Sequence, residues 1–135
     1  MKFKISRNIA SKYLDLKIAV LIATQLKVNT ENEELKTLKR KVETEIRNKF
    51  TPKTLVKHPF IAAWRSTYRS FGVRPKKYKP TAEALIRRIL HGETIPTINT
   101  LVDSYLIVEC EHFLPCGGYD LETHRHMDRD ALNFS

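Results

Sequence analysis

Apolar residues recur along this chain with two periods, and the change from one to the other lays out its elements. Residues 1–6 alternate Phe3 and Ile5 with Lys2 and Lys4, a period of two that predicts a short edge strand. In residues 17–28, Ile18, Val20, Ile22, Leu26 and Val28 point one way, and Ala19, Leu21 and Ala23 the other. The first half of that segment is therefore apolar on both faces, as in a central strand covered on both sides. Gln25 and Lys27 expose one face later in the segment. The period then becomes helical. Thr30-x-x-Glu33 reads as a capping box, in which two side chains satisfy orphan backbone donors of a first turn. The helix it opens runs to about Asn48 with a stripe of Leu35, Leu38, Val42 and Ile46. Glu43 with Arg47 and Glu45 with Lys49 form i,i+4 pairs on its wet side. The stripe lasts too few heptads for a coiled coil, so the helix is expected to pack on the sheet.

Thr51-Pro52 opens a short turn or helix. Pro59 suits a first helical position, where its missing N–H is not needed. The helix from it reaches Phe71 with Ile61, Trp64, Tyr68 and Phe71 inward, and Gly72 closes it in a left-handed conformation. Residues 73–79 form a basic loop: Arg74, Lys76, Lys77 and Lys79 around Pro75 and Tyr78. Thr81 caps a helix to His91 with Ala82, Leu85, Ile86 and Ile89 toward the core, and Gly92 stops it. Beyond it, Ile98, Leu101, Val102, Tyr105 and Val108 recur at helical spacing behind Asn99, a natural cap. Residues 105–108 also fit a short buried strand; the length of the pattern, about three turns, favours a helix. The chain turns at Leu114-Pro115 and passes through Gly117-Gly118 into a second strand candidate at 119–122. Residues 123–135 carry no clear pattern.

With 135 residues the chain has room for one domain and a real core. It is 41% hydrophobic and 29% charged, which places it among globular chains and not disordered ones. No apolar run approaches a bilayer span, and the first ten residues lack the long apolar stretch of a secretory signal. Cys110 and Cys116 fit a reducing compartment without requiring a disulfide, so a cytoplasmic protein is expected. The net charge of +9 is unevenly spread: residues 51–92 carry +9 and residues 93–135 carry −6. Such a basic block attracts polyanions through its field. The same lysines also serve as an ordinary solubility surface.

Arg65, Arg69, Arg74, Lys76, Lys77, Lys79, Arg87 and Arg88 are the candidate nucleic-acid-binding set. A guanidinium suits phosphate because its planar fork donates two parallel bonds, and Tyr78 offers a stacking face. The competing expectation, favoured for the helix arginines, is that Arg65, Arg69 and Arg88 anchor helices internally on acids such as Glu83 or Asp103. The loop lysines are expected to face solvent. Cys110, His112, Cys116, His124 and His126 do not follow structural zinc spacings, and no Gly-rich phosphate loop, nucleophile elbow or His-Glu-x-x-His is present. No metal or cofactor is expected.

Three blocks in order carry a resemblance. The first is His58-Pro59-x-Ile61-x-Ala63-Trp64-Arg65-x-x-Tyr68-Arg69-x-x-Gly72 and the second Lys79-Pro80-Thr81-Ala82-Glu83-Ala84-Leu85-x-Arg87-Arg88. The third is Asn99-x-x-Val102-Asp103, a hydrophobic run ending in Glu109, then Pro115, a short turn and Tyr119-Asp120-Leu121. Together they resemble the B3/B4 domain of the bacterial phenylalanyl-tRNA synthetase β chain, and more closely the stand-alone B3/B4 proteins. The likeness is clear over residues 57–122 and weaker back to about residue 17. It implies an α+β fold, helices packed on a small mixed sheet, with residues 1–122 as the first part of such a domain and 123–135 an unassigned tail. It further implies binding of tRNA or aminoacyl-tRNA. The alternatives are a trans-editing hydrolase of mischarged aminoacyl-tRNA and a truncated, inactive relative acting as a scaffold. In the synthetase domain the third block helps wall the editing pocket, which here makes Asn99, Asp103, Gly117, Gly118, Tyr119 and Asp120 the pocket-lining candidates. That domain places a histidine two residues before the aromatic-Asp pair, where this chain has Gly117. The family's later strands have no counterpart here, and the open sheet edge this leaves predicts a homo-oligomer.

Overall fold

The structure is a computed structural model that describes residues 3–121 and the backbone of Leu132–Phe134. Its elements run β1 (Phe3–Ile5), α1 (Arg7–Lys12), α2 (Glu33–Lys49), α3 (Pro52–Leu55), α4 (Pro59–Ser70), α5 (Thr81–Leu90), α6 (Thr100–His112) and β2 (Leu132–Phe134). The expected helices on a mixed sheet are overturned, because the described residues are mostly helical. Strand structure is confined to β1 and β2, three residues each, paired parallel with Phe3 beside Leu132 and Ile5 beside Phe134. No sheet lies under the helices among the described residues. The segment meant for its centre, residues 17–28, forms no strand. Its alternation is real, but a strand exists only when a neighbour pairs with it, and none of the described residues does. The strand expected at 119–122 is also absent as far as Leu121; Glu122 lies outside the described residues.

The chain divides into two units, Met1–Leu26 with Gly118–Ser135, and Lys27–Gly117. In the second unit α2 packs against α5 and α6, and α5 also meets α6 and α3. Its core holds Val42, Ile46, Leu55, Ile61, Ala82, Leu85, Ile86, Ile89, Ile95, Ile107, Cys110 and Phe113.

Caps set the helix ends, and several differ from those expected. Asn32, not Thr30, caps α2 and accepts from the Leu35 amide at 3.0 Å. Pro80 stands at the cap of α5 without a side-chain bond, so Thr81 is the first helical residue instead of the cap. Asn99 does cap α6, its Oδ1 accepting from the Val102 amide at 2.9 Å. Thr51 and Thr54 make the one capping box among the described helices, around α3. Gly72 and Gly92, at φ 78° and 93°, end α4 and α5 in backbone that a side chain would strain.

Two helices present a face other than the expected one. On α6 the buried residues are Asp103, Ile107, Glu109 and Cys110, while Leu101 and Val108 from the predicted stripe are exposed. Apolar residues surround this helix on most sides, so its periodicity admits either rotation, and a buried ion pair fixes one. On α4 only Ile61 is buried; Trp64 and Tyr68 are half-buried and Phe71 is exposed.

The row Lys39, Glu43 and Arg47 on α2 joins that helix to residues 89–103. Lys39 Nζ lies 2.7 Å from Asp103 Oδ2 and donates to the Pro96 carbonyl at 2.7 Å. Glu43 Oε1 accepts from the Ile95 amide at 2.7 Å. Arg47 donates to the carbonyls of Ile89 at 3.1 Å and Glu93 at 2.8 Å. Glu43 is thus buried and not on a wet face. These charges satisfy carbonyls and amides that the turn after α5 would otherwise leave unpaired.

Candidate nucleic-acid interface

Residues 65–88 gather the basic set around a buried acid. Glu83, on the inner face of α5, is fully buried. One guanidinium nitrogen of Arg65, from α4, donates to both of its oxygens at 2.8 and 3.0 Å. Arg87, one turn along α5, donates through Nε to Glu83 Oε1 at 2.8 Å and through a second nitrogen to the Pro52 carbonyl at 3.4 Å. A single carboxylate therefore faces two cations, and the trio keeps an excess positive charge. Arg88 instead pairs with Glu93, at 2.8 Å on the surface.

The remaining candidates are exposed. Among the described residues no carboxylate pairs with Arg69, Arg74 or Lys76. The ammonium of Lys77 lies 5.2 Å from the centre of the Tyr78 ring, and Lys79 donates to the Lys76 carbonyl at 3.3 Å. The end of α4 and the loop after Gly72 enclose an open cavity of about 390 Å³ lined by Arg65, Arg69, Arg74 and Lys76 with Gly72, Val73 and Pro75. Pro75 is buried and forms part of the floor. The loop folds back on α4 through the Val73 amide, which donates to the Tyr68 carbonyl at 3.0 Å, and turns on itself through the Tyr78 amide, which donates to the Arg74 carbonyl at 2.9 Å.

The second candidate set is divided between the two units. Asn99 is spent on the α6 cap, and Asp103 is buried, accepting from the Ile98 amide at 2.9 Å as well as from Lys39. Gly117 ends one unit, whereas Gly118, Tyr119 and Asp120 belong to the other.

Two buried polar groups were not singled out for their chemistry in the sequence. Glu109 lies on the inner face of α6, with one carboxyl oxygen unpartnered. Burial pushes its pKa up, against smaller downward pulls from the Thr81 side chain and the Cys116 backbone. His58 precedes α4 and stacks on Phe113 at 3.9 Å between ring centres, with its Nδ1 unpartnered and its pKa lowered by burial. Part of each group's surroundings comes from far along the chain, Phe113 against His58 and Thr81 against Glu109, and no local signal marks those contacts. Burial, with the nearby Glu109 and Glu43 carboxylates, also raises the Cys110 thiol to about 12, which leaves it unreactive.

No cluster of three or more metal-binding side chains occurs among the described residues; His124 and His126 lie outside them. None of the described helices is long and apolar enough to cross a membrane. No family model, characterised protein or solved structure matches the chain.

Proposed function

We propose that the chain binds structured RNA of the tRNA class through the α4–α5 face. The observation that carries this reading is the set Arg69, Arg74 and Lys76, three cations around one cavity with no acidic partner among the described residues. Cations held on a surface structure only themselves, whereas cations gathered around an opening offer a phosphate several donors at once. The excess charge of the Arg65–Glu83–Arg87 trio adds to the field there. The tRNA class comes from the sequence blocks that resemble B3/B4 proteins. The test replaces Lys76, Lys77 and Lys79 by Glu and measures tRNA binding across salt concentrations. Affinity falls, and its logarithm declines less steeply with log salt, because fewer counterions are released. Parent-like affinity and slope in the variant remove the loop from the interface.

A second partner, another copy of the chain, is favoured by residues 17–24. Their amides and carbonyls have no hydrogen-bond partners among the described residues, and Ile18, Val20, Leu21 and Ile22 are 42% to 93% exposed. From Ile18 to Thr24 there is no charge, Pro or Gly, and four of the seven residues are β-branched. Identical segments of this kind pair with one another, because each supplies the backbone pattern the other lacks and no gatekeeping charge opposes them. Sedimentation over a range of concentrations reads this directly. The parent self-associates, and Val20→Pro or Leu21→Lys returns it to a monomer with unchanged helix content. A parent that stays monomeric throughout rules the edge out.

A further inference from the structure

We infer that the α4–loop cavity is a socket for one nucleoside monophosphate unit, an unstacked nucleotide of the bound RNA. This deepens the RNA-binding reading and rests on it. The size of the cavity, about 390 Å³, is the first observation. A phosphate alone would leave most of that volume as water, whereas small-ligand pockets begin at roughly 300 Å³. The second is its division into two chemistries. Val73 and Pro75 give an apolar wall, and beside Gly72 the space is open, since a Cβ placed there meets nothing within 4 Å. Arg69, Arg74 and Lys76 give a cationic rim. A base covers apolar surface with its flat face, and its phosphate takes the rim donors.

The third observation concerns Arg65. Only one of its guanidinium nitrogens is spent on Glu83, and its side chain is 13% exposed where it lines the cavity. Its other nitrogens have no partner among the described residues. A guanidinium held at one end by a buried carboxylate is a fixed plane, suited to stack on a base or to fork onto a phosphate. Glu83 thereby acts as a positioning residue for the socket. Stacking on apolar and guanidinium surfaces accepts any base, so the expected recognition is of a nucleotide without base identity.

The test titrates the full chain with uridine 5′-monophosphate, uridine and inorganic phosphate at constant ionic strength, following the amide resonances of Gly72 and Val73, and measures tRNA binding in parallel. Uridine 5′-monophosphate is expected to bind at least about tenfold tighter than either of its parts, the gain of joining two contacts in one ligand. It is also expected to compete with tRNA. Val73→Glu, which puts a negative charge against the apolar wall, and Arg74→Glu, at an exposed side chain with no acidic partner among the described residues, each reduce nucleotide binding at least about tenfold; the two sites check each other should one variant misfold. Intact tRNA binding with a nucleotide no tighter than phosphate overturns the socket and leaves the RNA interface. Nucleotide binding without tRNA binding overturns the RNA reading and leaves a free-nucleotide site. Failure of both overturns both.

Discussion

Lys39 Nζ and Asp103 Oδ2 meet at 2.7 Å with both side chains nearly fully buried, 4% and 3% exposed. Each is also bonded to backbone, Lys39 to the Pro96 carbonyl and Asp103 to the Ile98 amide. The pair therefore joins α2, α6 and the chain leading into α6. Burying two charges is costly, and mutual pairing with added hydrogen bonds offsets that cost.

Breaking this pair from one side leaves an uncompensated buried charge. Asp103→Ala is expected to lower stability by about 3–5 kcal/mol, as is common for one-sided removal. Replacing both partners, Lys39→Met with Asp103→Leu, should cost clearly less than the single change. Urea denaturation of the three chains checks the order. A single variant as stable as the double would show that the pair carries little coupling.

Glu109 predicts a loss of stability on the alkaline side of the carboxylate range. Burial raises its folded pKa above the unfolded value. The folded state then binds more protons than the unfolded one between the two pKa values. Its contribution is fully present below the unfolded pKa and is lost as pH rises through the folded one. Glu109→Gln should flatten that part of the stability profile and raise the midpoint at pH 7 relative to the parent. Thermal midpoints of parent and variant from pH 4 to pH 8 measure the difference.

His58 predicts the opposite sign. Burial lowers its pKa from the ordinary 6.5, so the unfolded state binds the proton first as pH falls. Stability is lost on acidification below about pH 6.5, because the partly buried ring loses hydration that its charged form needs. His58→Phe keeps an aromatic ring against Phe113 and removes the titration. The fall in thermal midpoint between pH 7 and pH 5 should shrink in that variant.

On α4 the ranking of two truncations is expected to follow burial and not size. Ile61 is fully buried in the core, and Ile61→Ala should cost about 2–5 kcal/mol. Trp64 is half-buried and outside that cluster, so Trp64→Ala should cost less than Ile61→Ala despite the larger side chain. Equilibrium denaturation of both variants decides the order.

Local signals in the sequence determined the helices. Pro59 at the first position of α4, Asn99 before α6, Gly72 and Gly92 at helix ends, and the stripe of α5 act within a few residues, so α4 and α5 stand within two residues of where periodicity places them, while α6 runs on to His112, past the end of its stripe at Val108. The candidate basic set was legible for a similar reason, since its residues are close in sequence. Which of those cations remain unpaired was not legible, because Glu83 can satisfy two of several arginines and only packing selects Arg65 and Arg87. Tertiary structure also decided the rotation of α6. Its apolar residues surround the helix, and the pairing of Asp103 with Lys39, 64 residues earlier in the chain, turns that side inward. It likewise decided against the sheet: the alternation at 17–28 gives those residues two apolar faces, but a strand needs backbone partners from elsewhere, and among the described residues none reaches residues 17–24.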